Sequence, residues 1–147
     1  RRLQESGYLL ILVTNQSGIG RGFFTMDDLE RVNGRMLAEL ARDGVHIARI
    51  YSAPEAPDQP SRGRKPSPQF LWDARDEFGL DLPRCHMVGD KWIDLECGWN
   101  AGVAASILVR TGYGKDVERK QGAALGRAVV VDDLAGAVDW ILGQAER

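Results

Sequence analysis

One short apolar run constrains this chain more than any other stretch, because it stops at a glycine and then turns charged. It reads Cys85-His86-Met87-Val88-Gly89-Asp90-Lys91-Trp92-Ile93-Asp94. Buried strands of open α/β sheets end this way, since ligands bind beyond the carboxyl ends of the strands. With Ile93 helical, Asp90 and Asp94 stand four residues apart and share one face. Two such carboxylates suit a hard, oxygen-seeking cation such as Mg²⁺. The same residues also suit a plain turn followed by a helix, with Asp90 as its N-cap. The surrounding elements decide between the two.

Those elements alternate. Arg1-Arg2-Leu3-Gln4-Glu5-Ser6-Gly7 reads as the last turns of a helix stopped by glycine. Tyr8 to Val13 is continuously apolar, as in a strand buried on both faces of a parallel sheet. Thr25 opens a helix with Asp28 three residues on, a variant of the capping box. Met26, Leu29, Val32, Met36 and Leu40 keep helical spacing through about Arg42. Ile47 to Ala53 is a second strand. A loop follows from Pro54 to Pro66, with prolines also at 57 and 60. Ser67 caps a helix that has Pro68 at its first position, Phe70, Leu71, Ala74 and Phe78 as its apolar stripe, and Gly79 at its end. Cys85 to Gly89, Ala104 to Val109 and Ala128 to Val131 are further strands. They are separated by a short helix from about Ile93 to Ala101 and a polar loop from Arg110 to Gly126. An amphipathic helix from Asp133 to about Ala145 closes the chain. Strands alternating with helices predict βαβ units, hence a three-layer α/β/α, Rossmann-like parallel sheet in a single domain spanning 1–147.

The totals exclude several classes. A net charge of −2 gives no broad attraction to nucleic acid or anionic membrane. No apolar run reaches the ~18 residues of a membrane span. Cys85 and Cys97 form neither a zinc pattern nor a disulfide framework, and free thiols point to a reducing cytoplasm. Oligomeric state is not legible; a monomer is compatible with everything read here.

Each strand end carries a different polar kit. Thr14, Asn15 and Gln16 follow the first strand, and then glycines at 18, 20 and 22. Hydroxyl, amide and exposed backbone N–H groups are good donors to phosphate oxygens. The spacing matches neither a Walker loop nor GxGxxG. Arg62, Arg64 and Lys65 cluster after the second strand. Arginine grips phosphate through two parallel bonds, and lysine offers a point charge. Asp90 and Lys91 follow the third strand. Donors, cations and a metal carboxylate at one sheet edge suit phosphoryl transfer, where catalysis is mostly positioning and charge neutralisation. His46 and His86 read as structural or surface residues, the four tryptophans as packing, and Arg21 as either a flap or an exposed side chain.

In this order and spacing, the residues resemble the haloacid dehalogenase-like (HAD) phosphohydrolase superfamily. Leu12-Val13-Thr14 matches its second motif, Lys65 its third, and Gly89-Asp90-Lys91-Trp92-Ile93-Asp94 the GDxxxD of its fourth. Val13 to Gly22, Arg64-Lys65-Pro66, Met87 to Lys91 and Leu108 to Gly112 further resemble the D-glycero-D-manno-heptose 1,7-bisphosphate phosphatases and the related histidinol-phosphate phosphatases. The resemblance implies a capless, Mg²⁺-dependent phosphatase acting on a small sugar bisphosphate through an aspartyl-phosphate. It implies that Thr14 bonds the transferring phosphoryl group, that Lys65 neutralises it, and that Asp90 ligates Mg²⁺. Asn15, Gln16, Arg64 and Lys91 would contact substrate, while Asp94 would orient the loop.

Two departures matter. The superfamily's DxDx(T/V) strand, which supplies the nucleophile and is central in its sheet, does not precede Thr14. The resemblance therefore implies a longer chain, with on the order of 30–45 residues before Arg1 at 1.5–3.4 Å rise each. Residues 1–147 alone are expected to be inactive. The zinc-binding loop of many relatives corresponds to Ser52 to Gly63, which holds neither cysteine nor histidine, so no structural zinc is expected. Histidinol phosphate or another small phosphomonoester is the alternative substrate. A non-catalytic phosphate-binding module is the alternative of another class, and a generic nucleotide binder lacks its glycine fingerprint.

Overall fold

The structure is a computed structural model and describes residues 1–145. It divides into two compact units, Arg1–Arg64 and Lys65–Arg147. Among the described residues all strand pairing is parallel, in one ladder of two strands and one of three.

The first unit holds α1 (Arg2–Glu5), β1 (Leu10–Asn15), α2 (Met26–Arg42) and β2 (Ile47–Ala53). Gly7, at φ +87°, lets the chain reverse after α1, and Gly7 N–H and Tyr8 N–H donate back to the carbonyls of Gln4 and Leu3. The Gln4 amide then ties α1 to the entry of β2, donating to Gly44 O (2.9 Å) and accepting from His46 N (2.8 Å). The capping box of α2 forms: Thr25 Oγ1 accepts from Asp28 N, and Thr25 N donates to Asp28 Oδ2 at 2.8 Å.

One expectation is corrected in this unit. β1 is only partly buried along its whole length, not buried on both faces. On α2 only Leu29 is buried; Val32 is 65% exposed. Helical spacing sets which residues share a face, and not whether another element covers it.

The second unit holds α3 (Gln69–Phe78), β3 (His86–Gly89), α4 (Trp92–Ala101), β4 (Ala105–Val109), α5 (Gly114–Gln121), β5 (Val129–Val131) and α6 (Leu134–Ala145). Its strand order is β3-β4-β5. Leu95 of α4 and Leu108 of β4 are fully buried with Leu125, and Trp92, Trp99, Val117 and Val130 pack around them. Each buried leucine contributes about 1.5–3 kcal/mol relative to exposure. Ser106 Oγ, fully buried, donates to Leu95 O at 2.9 Å and so loses no hydrogen bond in the core.

The polar loop expected over 110–126 is instead α5 followed by a 3₁₀ turn from Gly122 to Arg127. The helix Gly-Lys-Asp-Val-Glu-Arg-Lys-Gln carries a single apolar side chain toward the core, Val117, so periodicity cannot reveal it. Arg110 fastens it from outside. Its guanidinium forks onto Glu118 with two bonds of 2.8 Å and reaches Asp132 at 2.7 Å, joining the end of β4 to α5 and to the end of β5. The paired guanidinium holds Glu118 below the usual carboxylate range. The helix after Ser67 begins at Gln69 with Pro68 as N-cap, one residue later than expected, and Ser67 Oγ accepts from Gln69 N.

Candidate active site

In the first unit, β1 delivers Thr14 and Asn15 at its carboxyl end, in register with Ser52 and Ala53 of β2. Gln16 leaves the strand with its N–H on Ala53 O (2.8 Å), and its side-chain amide turns back to donate to Thr14 Oγ1 at 3.1 Å. That bond fills an acceptor position of the hydroxyl and leaves its O–H free to donate. The turn that follows is closed by Ile19 N to Gln16 O and Phe23 N to Gly18 O. Gly20 donates to Pro54 O at 2.8 Å, and a Cβ there would lie 2.2 Å from Ala56 N, so only glycine permits this approach of the turn to the proline-rich loop.

Arg64 organises that loop. Its Nη1 donates to Ala56 O (2.7 Å) and its Nη2 to Gln59 O (2.5 Å), while its N–H reaches Ser61 Oγ (3.2 Å). Ser61 in turn donates to Glu55 at 2.6 Å, which holds the Glu55 carboxyl below its ordinary range. Two backbone carbonyls thus hold Nη1 and Nη2 of the guanidinium.

In the second unit the site is built on the first turn of α4. Lys65 Nζ lies 2.7 Å from Asp94 Oδ1, with side chains only 11% and 5% exposed. The other oxygen, Asp94 Oδ2, accepts from Lys91 N at 3.0 Å. Two further residues of α4 hold the segment after Lys65: Cys97 Sγ donates to Ser67 O (3.2 Å) and Asn100 Nδ2 to Pro66 O (3.1 Å). Burial pushes the Cys97 thiol up to about 11. The N-cap of α4 is Lys91 and not Asp90, so Asp90 stays outside the helix. Asp90 Oδ2 accepts from Tyr113 N at 2.9 Å, and the Lys91 ammonium sits 4.8 Å from the centre of the Tyr113 ring.

The structure therefore gathers Thr14, Asn15, Gln16 and Arg64 in the first unit, and Lys65, Asp90, Lys91 and Asp94 in the second. Sequence reasoning missed Gly112, Tyr113, Cys97 and Asn100. The tight Gly112-Tyr113-Gly114 punctuation just past a buried strand was the available signal for the first two. Among the described residues no group of three or more His, Cys, Asp or Glu could hold a metal. Asp90 fits Mg²⁺ as one ligand: one of its oxygens is occupied by an N–H, and the other remains for a hard cation. Asp94 is committed to Lys65 and Lys91.

Comparison with known proteins identifies the family. Residues 63–137 match the HAD-hydrolase-like family model. The chain is 37% identical to the D-glycero-beta-D-manno-heptose-1,7-bisphosphate 7-phosphatase of Yersinia pestis, over 97% of this chain and 71% of that protein. It is 37% identical to the corresponding 7-phosphatase of Chlorobaculum tepidum, over 96% of this chain and 76% of that protein. Among solved structures, the D,D-heptose 1,7-bisphosphate phosphatase of B. bronchiseptica, complexed with magnesium and phosphate, superposes with a TM-score of 0.89 at 33% identity, covering 97% of this chain and 79% of that one. A HAD-like phosphatase fold from Mesorhizobium loti gives a TM-score of 0.75 at 32% identity, covering 99% and 69%. The parallel α/β architecture, the family model and these relatives agree: the chain belongs to the HAD-hydrolase-like phosphoric monoester hydrolases, in the family of the heptose bisphosphate phosphatases.

Proposed function

We propose that this protein is an Mg²⁺-dependent phosphatase that removes the 7-phosphate of D-glycero-D-manno-heptose 1,7-bisphosphate in the cytoplasm. The single observation that carries the reading is the identity of more than a third shared with 7-phosphatases across nearly the whole chain. Residue by residue, the family resemblance assigns Thr14, Lys65 and Asp90 to the phosphoryl group. The Thr14 hydroxyl, with Gln16 on its acceptor side, donates to a phosphoryl oxygen. Lys65, held by Asp94, neutralises charge there. Asp90 would hold Mg²⁺, which when bound offsets the negative charge of the phosphoryl oxygens. Asn15, Arg64 and Lys91 would face the sugar and its second phosphate. The reading includes the aspartyl-phosphate route of the family motif, and the test uses the full-length protein.

That protein is assayed against heptose 1,7-bisphosphate with and without Mg²⁺, beside histidinol phosphate and simple phosphomonoesters. The expected result is Mg²⁺-dependent release of one phosphate, fastest from the heptose. Thr14→Ala, Lys65→Met and Asp90→Asn should each lower kcat by roughly 10²–10³, the usual loss of a charge-stabilising group. Turnover at background rates, or a preference for another phosphomonoester, rejects the proposal.

A further inference from the structure

Tyr113 touches two site residues with two different groups. Its backbone N–H donates to Asp90 Oδ2 at 2.9 Å, while its ring lies 4.8 Å under the Lys91 ammonium. The ring is 61% exposed, and Lys91 is exposed as well. Among the described residues no carboxylate pairs with Lys91. Lys65 is its opposite: nearly buried and charge-balanced by Asp94. The unit therefore holds two cations of different character around the first turn of α4. The inner one is held in place by a carboxylate before anything binds. The outer one has an aromatic face for company, which attracts an ammonium without cancelling its charge. A flexible lysine resting on a ring also spends less conformational freedom when an anion arrives.

We propose that Tyr113 is a positioning residue for Lys91, and that the pair receives the anionic group of the substrate that is not transferred. This rests on the functional reading above, in which that group is the phosphate left on the product. Tyr113 is well placed to hold the ring still. It is the N-cap of α5, its carbonyl accepts from Val117 N at 3.0 Å, and α5 is fastened by the Arg110–Glu118 fork. Side chain and backbone are separable here. Replacing the ring leaves the N–H on Asp90, so the metal carboxylate keeps its support.

The test compares wild type, Tyr113→Leu, Tyr113→Phe, Lys91→Met and the Tyr113→Leu/Lys91→Met double variant, each as the full-length protein. Two substrates are used: heptose 1,7-bisphosphate and p-nitrophenyl phosphate, which has no second anion. Tyr113→Leu should raise KM for the bisphosphate about 3- to 10-fold with kcat within twofold, and leave KM for p-nitrophenyl phosphate unchanged. Tyr113→Phe keeps the ring and should behave as wild type, and the double variant should match Lys91→Met alone. The Lys91 ε-methylene proton resonances should carry an upfield ring-current shift in wild type and Tyr113→Phe that is lost in Tyr113→Leu, which reads the pairing without any turnover. An unchanged KM in Tyr113→Leu, equal losses on both substrates, additive effects in the double variant, or an absent ring-current shift overturns the proposal. Failure of wild type to hydrolyse the bisphosphate rejects the functional reading and this assignment together, and is told apart by the wild-type assay alone.

Discussion

The Lys65 ammonium and the Asp94 carboxylate meet at 2.7 Å in a nearly buried position, and the same carboxylate takes the N–H of Lys91. One side chain thereby fixes the cation that enters α3 and the first turn of α4. Removing one partner of a buried pair strands a charge, which costs about 3–5 kcal/mol. Asp94→Ala should lose stability on that scale in urea unfolding. The Lys65→Met/Asp94→Ala double variant should lose less than the sum of the single losses, by about 1 kcal/mol or more. Strict additivity would show that the two groups do not depend on each other.

Gly112 stands at φ +60°, and a Cβ there would fall 2.2 Å from Asp90 Oδ2. Gly102 has φ +82° with no atom near its own Cβ position. Gly→Ala at either position costs about 1–2 kcal/mol of backbone strain. Only Gly112→Ala displaces the Asp90 carboxylate, the proposed Mg²⁺ ligand, and its Tyr113 bond. Its Mg²⁺ concentration for half-maximal activity should rise roughly 10- to 100-fold, the usual effect of disturbing a ligand's support, while Gly102→Ala leaves it in place. Equal Mg²⁺ titrations for the two variants would contradict this.

Arg64 spans Ala56 O and Gln59 O, a geometry a lysine cannot reproduce from one ammonium. Arg64→Lys should therefore open the loop of residues 54–64 nearly as much as Arg64→Ala. Cleavage there by subtilisin should speed up about tenfold in both, which corresponds to ~1.4 kcal/mol of lost closure. Wild-type resistance in Arg64→Lys would mean that charge alone holds the loop.

Burial raises the Cys97 thiol from about 9 to about 11, against the weaker opposing pull of Lys65. Its raised folded pKa means that the unfolded chain loses this proton first as pH climbs. The contribution of the thiol to stability is full below pH 9 and disappears between about 9 and 11. The loss approaches 2–3 kcal/mol at roughly 1.4 kcal/mol per unit. Unfolding midpoints of wild type and Cys97→Ala from pH 7.5 to 10.5 should converge as pH rises. Parallel curves would show that the thiol titrates normally.

Where local chemistry decides an element, the chain could be read directly. β2 runs from Ile47 to Ala53 as its composition suggests, and Thr25 and Asp28 close the capping box of α2. Glycines 79 and 102 end α3 and α4 in the left-handed region. The reading failed where contacts distant in sequence replace periodicity. The helix α5 is polar almost throughout and is fixed by Arg110, whose partners lie 8 and 22 residues away. The apolar residues of α2 repeat with helical spacing, and yet only Leu29 is buried while Met26 and Val32 are exposed.

The candidate site divides along the same line. Residue type and spacing alone named Thr14, Lys65, Asp90 and Asp94, since hydroxyl, cation and carboxylate at strand ends are a chemistry before they are a geometry. The resemblance already gave the two aspartates different roles; tertiary structure supplied their partners, giving Asp94 to Lys65 and leaving an oxygen of Asp90 without an N–H. It alone turned Arg64 inward and set the Tyr113 ring under Lys91. A hydrogen bond or ion pair depends on where two atoms meet, and only the packed chain brings residues as far apart as 65 and 94, or 90 and 113, within 3 Å of each other.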